Sequence, residues 1–230
     1  MNLLAIDTAT EACSAAVLSE DRLYEHYQLA PRAHNRLILP MVSELLAESG
    51  VELTELDAIV FGCGPGSFTG VRIAAGVAQG LAFGLGLPVI PISTLAALSL
   101  DALDTEGTEL SYACIDARMN EVYWGIYERY GKDSVRLIGC ESVIPPGHIE
   151  ALQGKSGVGV GSGWAAYPEL LAEQLGSGLQ SIMPDRFPRA AFIAKLGAVA
   201  LAQGGGFPAE QALPVYLRDN VARKIDKRTP

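Results

Sequence analysis

Leu4-Ala5-Ile6-Asp7-Thr8-Ala9-Thr10-Glu11 opens the chain, and Ala113-Cys114-Ile115-Asp116-Ala117-Arg118 follows 109 positions later. In both stretches a short apolar run ends in an aspartate and a polar turn follows, Thr8 to Glu11 in one and Ala117 to Glu121 in the other. A second apolar run comes next, Cys13 to Leu18 in the first case and a run reaching Tyr127 in the second. Short apolar runs bounded by turn formers read as buried strands. A charged turn and a third strand then follow in both, Arg22 to Leu29 in the first copy. Two antiparallel meanders at a fixed interval, aligned without a gap, point to a duplicated unit; two unrelated meanders are the alternative.

Working outward, the apolar positions Leu37, Ile38, Met41, Val42, Leu45 and Leu46 recur at helical spacing between Ala33 and Ser49, with Pro40 inside and Gly50 as the stop. The apolar run Ala58 to Phe61, a glycine-rich turn from Gly62 to Gly70, a helix from Val71 to Leu85 and a strand Val89 to Ser93 read as a parallel crossover. Asp101, Asp104, Thr105, Glu106 and Gly107 mark a linker between about Leu100 and Glu109. The expected lobes are therefore residues 1–104 and 105–230. In the second, Val158 to Val160 is a strand leading into Gly161-Ser162-Gly163-Trp164, and Ala190 to Gln203 is a helix stopped by Gly204-Gly205-Gly206. From Arg218 to Pro230 the chain carries five basic and two acidic residues, so this tail either meets an anionic partner or is simply solvated. Whether the end of the chain returns to the first lobe stays open.

Composition narrows the function. With 230 residues, 49% hydrophobic and 19% charged, the chain can bury a sizeable core. A net charge of -9 disfavours a broad basic surface for nucleic acid, so any RNA is expected to be held by something else. Cys13, Cys63, Cys114 and Cys140 form no CxxC pair and read as buried small hydrophobes in a reducing cytoplasm. The first residues lack a basic region before the apolar stretch and so do not read as a secretory signal. Ile73 to Ile92 approaches the length of a membrane span, but its glycines, Pro88 and Pro91 favour helix, turn and strand.

An aspartate ending a strand beside hydroxyl-bearing residues is what a phosphate and magnesium site needs. Asp7 with Thr8 and Thr10 fits; Asp116, followed by Ala117, Arg118 and Met119, does not. Gly62-Cys63-Gly64-Pro65-Gly66-Ser67-Phe68-Thr69-Gly70 matches neither phosphate-loop spacing nor a nucleophile elbow. A turn that lets the helix pack closely is favoured over an anion site at the helix N-terminus. The three histidines, His26, His34 and His148, do not cluster, so no metal site is expected; His34 reads as a surface or interface residue. The helix Val71 to Leu85 carries stripes of Ile73, Val77 and Leu81, of Gly76, Gly80 and Gly84, and of Ala74, Ala78 and Ala82. It is apolar or small nearly all round and must be covered on several sides, by a partner or by the other lobe.

Leu4-Ala5-Ile6-Asp7-Thr8-Ala9-Thr10, Gly64-Pro65-Gly66-Ser67-Phe68-Thr69-Gly70-Val71-Arg72-Ile73 and Pro214-Val215-Tyr216-Leu217-Arg218 together resemble the TsaB (YeaZ) family over essentially the whole chain. The resemblance implies an α/β, duplicated actin-like (Hsp70-like ATPase) fold of two ribonuclease H-like lobes. It implies an accessory subunit that is no enzyme on its own, pairing with its catalytic paralogue TsaD and the ATPase TsaE. That complex transfers a threonylcarbamoyl group from threonylcarbamoyl-adenylate to N6 of adenosine 37 in ANN-decoding tRNAs. ATP and metal would belong to those partners: the paralogue's H-x-x-x-H is replaced here by Thr94-Leu95-Ala96-Ala97-Leu98. Asp7, Thr8, Thr10, Asp116 and Gly161 would form a vestigial nucleotide cleft. The pairing surface would lie on the two first-lobe helices, with His34, Leu37, Met41, Leu45, Arg72, Gly76, Val77, Gly80 and Gly84, and could equally join two copies. tRNA would be met through the complex, in the cytoplasm, with no membrane involved. An independent kinase of this fold and a peptidase-like hydrolase are the rival classes.

Overall fold

The computed structural model describes residues 1–218. β1 (Asn2–Asp7), β2 (Ala12–Ser19) and β3 (Arg22–Leu29) form an antiparallel meander, and β4 (Ala58–Gly64) and β5 (Val89–Ser93) join it in parallel beyond β1. The order is β3-β2-β1-β4-β5. β6 (Leu110–Arg118), β7 (Glu121–Arg129), β8 (Val135–Ile144), β9 (Gly157–Val160) and β10 (Leu179–Met183) repeat it as β8-β7-β6-β9-β10. The helices are α1 (His34–Ser49), α2 (Phe68–Leu85), α3 (Thr94–Glu106), α4 (Ser162–Ala166), α5 (Pro168–Leu175) and α6 (Ala190–Ala202). Two copies of one strand order, each with its own helices, make this a duplicated actin-like α/β fold of two ribonuclease H-like lobes.

The central strands β1, β4 and β9 are buried on both faces, which is why they read as unbroken apolar runs, whereas the edge strands β3 and β8 are half-buried or exposed throughout. Along β1, Leu4 and Ile6 join Ile38 and Leu45 of α1 and Ala75 and Ala78 of α2, while Leu3 and Ala5 join Ala190, Ile193 and Ala194 of α6. Along β6, Tyr112 and Cys114 pack with Trp164 and Leu171, whereas Ala113 and Ile115 pack with Leu95, Leu98 and Ala102 of α3. The inner layer is exchanged. α3 follows the last strand of the first sheet yet packs chiefly on β6, β7 and β9, and α6 follows the last strand of the second sheet yet packs on β1, β2, β4 and β5.

That exchange corrects the expected linker. Residues 100–106 are the second half of α3, Leu100 is fully buried, and only Gly107, with φ 66, ends the helix. The acids that suggested a linker are paired: Asp104 with Arg129 at 3.1 Å and Lys195 at 2.9 Å, and Asp101 with Arg186 at 3.7 Å. The gapless alignment of the two meanders is corrected as well. Leu4 and Ile6 face away from the other lobe, but Ala113 and Ile115, their partners in that alignment, face toward it. A slip of one residue turns every strand side chain to the other face, so Asp7 and Asp116 point to opposite sides of their sheets. Cys13, Cys63 and Cys114 are buried as expected, but Cys140 is exposed on the edge strand β8. α2 begins at Phe68, three residues before the expected start, because the Ser67 hydroxyl accepts the Gly70 N–H at 3.1 Å and caps the helix. It is the one described helix long and apolar enough to cross a membrane; here it lies on β4 with Val71, Ala74, Ala75, Ala78 and Ala82 buried.

The exchanged layer depends on close approach. A Cβ built at Gly197 of α6 would run into the side chain of Val60 in β4. Gly197→Val is therefore expected to destabilise the protein by about 2 kcal/mol through overpacking, read as a lower midpoint in urea unfolding.

Candidate functional site

A cleft of about 940 Å³ opens between the lobes, walled by the β1–β2 turn, the start of α2, the β6–β7 turn and the segment Val215–Arg218. Asp7 does not reach it. Its side chain is fully buried on the inner face of the first sheet, where only the missing side chain of Gly62 makes room for its carboxylate. Oδ1 accepts the Ala9 N–H at 3.1 Å, and Oδ2 has no hydrogen-bond partner among the described residues. Desolvation is the main cause that pushes its pKa up to about 7, with the Ala9 hydrogen bond pulling weakly the other way. Thr8, also buried, donates its hydroxyl to the Gly70 carbonyl at 2.7 Å. Two of the three residues expected to hold phosphate, Asp7 and Thr8, are thus spent inside the wall.

The glycine-rich turn shows why. A Cβ at Gly66 would meet the Ala9 carbonyl, and one at Gly70 would meet the Thr8 carbonyl and the Ser67 hydroxyl. The Ser67 N–H donates to the Ala9 carbonyl at 2.7 Å. The Ala9 carbonyl and the Ser67 hydroxyl take up the Ser67 and Gly70 N–H groups, and the glycines at the start of α2 serve close packing against the first turn.

Of the five residues expected to form the nucleotide cleft, Thr10 and Asp116 line it, whereas Asp7, Thr8 and Gly161 lie behind its walls. Gly161, with φ 105, is pressed against the Cys114 carbonyl and Leu98. Asp116 takes its backbone N–H to the Ser162 hydroxyl at 3.2 Å and its carboxylate to Arg118 at 2.8 Å. Arg118 also reaches Glu11 across the cleft at 3.4 Å, and Arg218 joins Glu121 at 2.5 Å. Arg118 and the segment Tyr216–Arg218 are cleft residues that sequence reasoning did not assign. The first follows an unremarkable Asp-Ala pair, and the second lies a hundred residues away in sequence from the turn it touches. The rest of the basic tail, 219–230, lies outside the described residues.

A second surface is the outer side of α2. Arg72, Gly76, Gly80, Phe83 and Gly84 are exposed, and a Cβ at Gly76, Gly80 or Gly84 would meet no atom of the described residues within 4 Å. The glycine stripe is therefore not under the other lobe. Phe83 is 79% exposed. Toward the cleft, Arg72 lies 3.6 Å from the Phe68 ring centroid and donates to the Tyr216 hydroxyl at 2.7 Å. Leu37 and Val77 are half-buried against the core. His34, Met41 and Leu45 do not belong to this surface: all three are buried on the sheet side of α1, and His34 Nε2 is 3.2 Å from the Ala12 carbonyl. An amphipathic helix has one apolar stripe, and the sheet has taken it. Among the described residues no three His, Cys, Asp or Glu side chains converge as a metal site.

The chain is similar to known proteins over nearly its full length. A family model described as "TsaD: tRNA N6-adenosine threonylcarbamoyltransferase" matches residues 17–226. The tRNA threonylcarbamoyladenosine biosynthesis protein TsaB of Escherichia coli (strain K12) is 44% identical over 230 residues, 97% of each chain. The protein of that name from Haemophilus influenzae is 42% identical over 233 residues, 97% of this chain and 96% of that one. The solved structure of YeaZ from Pseudomonas aeruginosa matches at a TM-score of 0.87 and 46% identity, covering 94% of this chain and 99% of that one.

The buried carboxyl makes stability depend on pH. A carboxyl whose pKa rises on folding, here from 3.8 to about 7, keeps its proton in the native state where the unfolded chain has lost it. Stability is then greatest below the lower value and falls through the window between the two, by about 4 kcal/mol at most. Asp7→Asn is expected to raise Tm at pH 8 and to lose that advantage at pH 4. A difference in Tm that stays constant across this range rules the explanation out.

Proposed function

This chain belongs to the TsaB (YeaZ) family, and from that premise we propose that it acts in tRNA threonylcarbamoyladenosine biosynthesis as an accessory subunit without chemistry of its own. Its partner is the catalytic TsaD-type paralogue, acting with the ATPase TsaE in the cytoplasm. The ATP and the metal are theirs, and tRNA is met through the assembled complex. The observation that carries this reading is the outer side of α2: a glycine stripe with Arg72 and Phe83 beside it, which none of the described residues covers. Small residues let a second helix approach closely, and an exposed aromatic with an arginine is the composition of an interface centre. The same surface can join two copies when the paralogue is absent.

The cleft supports a non-catalytic reading. Asp7, which a phosphoryl-transfer site would use, is sealed behind Gly62 and Thr94, and Asp116 is taken up by Arg118. Neither rival class, kinase or peptidase, has an observation in its favour.

Two outcomes are expected. Gly80→Arg leaves the monomer folded, with a change in stability within about 0.5 kcal/mol as for other open surface sites, but abolishes pairing with the paralogue in size-exclusion chromatography. A monomer that melts instead places Gly80 in the core. In a reconstituted mixture of paralogue, ATPase and the enzyme that makes the adenylate, tRNA modification requires this chain, is not restored by Gly80→Arg and is restored by Asp116→Ala. Modification without the chain overturns the proposal, and loss on Asp116→Ala with the complex intact makes the cleft functional.

A further inference from the structure

We propose that Glu141 clamps the two lobes at one fixed opening, so that the cleft does not close on a ligand as a hinged two-lobe enzyme would. The inference stands apart from the partner reading, because it concerns the pivot and not the outer side of α2.

The pivot is where β5 passes into α3, the point at which the chain leaves the first sheet for the layer on the second. Ser93 occupies it. Its hydroxyl oxygen accepts the Leu95 and Ala96 N–H groups at 3.1 and 3.3 Å, capping α3, while its proton goes to Glu141 Oε1 on β8. Tyr127 of β7, 2% exposed, donates its hydroxyl to the same carboxylate oxygen and lies 3.3 Å from Ser93 Oγ. One carboxylate of the second lobe thus holds the helix cap of the first, through hydrogen bonds strengthened by its charge.

The second lobe is shaped to present that carboxylate. The pairing of β7 with β8 shifts register between Trp124 and Ile126, where the single residue Gly125 of β7 faces three of β8, Gly139, Cys140 and Glu141. A Cβ there would stand 2.9 Å from the Tyr127 ring, 3.4 Å from Leu95 and 3.6 Å from Glu141 Cγ. A bulge re-aims its neighbours, and the absent side chain leaves the slot in which Tyr127, Leu95 and Glu141 meet. Next to the pivot, Thr94 donates its hydroxyl to the Pro65 carbonyl, fastening the start of α3 to the glycine-rich turn. The cleft is tied at its mouth as well, by Arg118 to Glu11.

The test uses the full chain carrying Cys140→Ser, with spin labels on cysteines placed at Ala47 and Glu173, exposed positions on the outer helices of the two lobes. Electron–electron distance measurement is expected to give one narrow distribution. Glu141→Ala broadens it, and amide exchange at Leu95 and Ala96 rises about tenfold as the cap opens locally. Tyr127→Phe, which removes one donor and leaves the packing intact, gives the same change in smaller measure and serves if Glu141→Ala fails to fold. An unchanged narrow distribution with unchanged exchange in either folded variant overturns the proposal.

Discussion

Ala190, Ile193 and Ala194 of α6 fill the inner face of a sheet to which their half of the chain contributes no strand, and Leu95, Leu98 and Ala102 of α3 return the exchange on the other sheet. Every other feature depends on this reciprocal burial. A sheet with one bare apolar face is unstable in water, so each half of the chain needs the other's helix. The exchange also brings the two sheets together with only helices between them, and so creates the cleft and its pivot. The ion pairs of Asp104 with Lys195 and of Arg189 with Glu25 join the same layers from their edges.

Close packing at the seam has a chemical consequence. Gly62, Gly66 and Gly70 bring the start of α2 and the end of β4 so near the first turn that Asp7 and Thr8 are walled in. A carboxyl in such a place holds its proton more tightly, and a hydroxyl that donates to a backbone carbonyl has no proton left to donate to a phosphate oxygen. The same residues that resemble a phosphate site in sequence therefore act as wall and brace. The opposite face of the first sheet is covered by α1 and α2, but on the outward side of α2 no described residue closes in, and its stripe of small residues stays open.

Much of this was legible in the residues. Apolar runs ending at Asp7 and Asp116 located the strands, and 3.6-residue spacing located α1 and α2. Ser67 and Gly70 framed a close turn where the phosphate-loop spacings fail. The errors share one cause, that residue type does not say which neighbour a side chain will meet. Asp101 and Asp104 read as linker residues because acids favour solvent, yet each faces a cation supplied by a distant segment. Met41 and Leu45 read as part of an interface because they are apolar on an amphipathic helix, and the sheet claimed that stripe. Glu141 carried no signal at all, since its partners lie 48 and 14 residues away in sequence.

By itself the amino-acid sequence determined the elements, their duplication, the family and the places where a backbone must approach closely, because periodicity, turn chemistry and glycine placement act over a few residues. Tertiary structure alone decided which face of each strand looks into the cleft, that the third helices change lobes, that Asp7 is sealed while Asp116 is not, and that the glycine stripe of α2 stays open. Those outcomes depend on register and on long-range contact. A one-residue slip between the two copies, invisible in composition, turns an aspartate from one side of its sheet to the other.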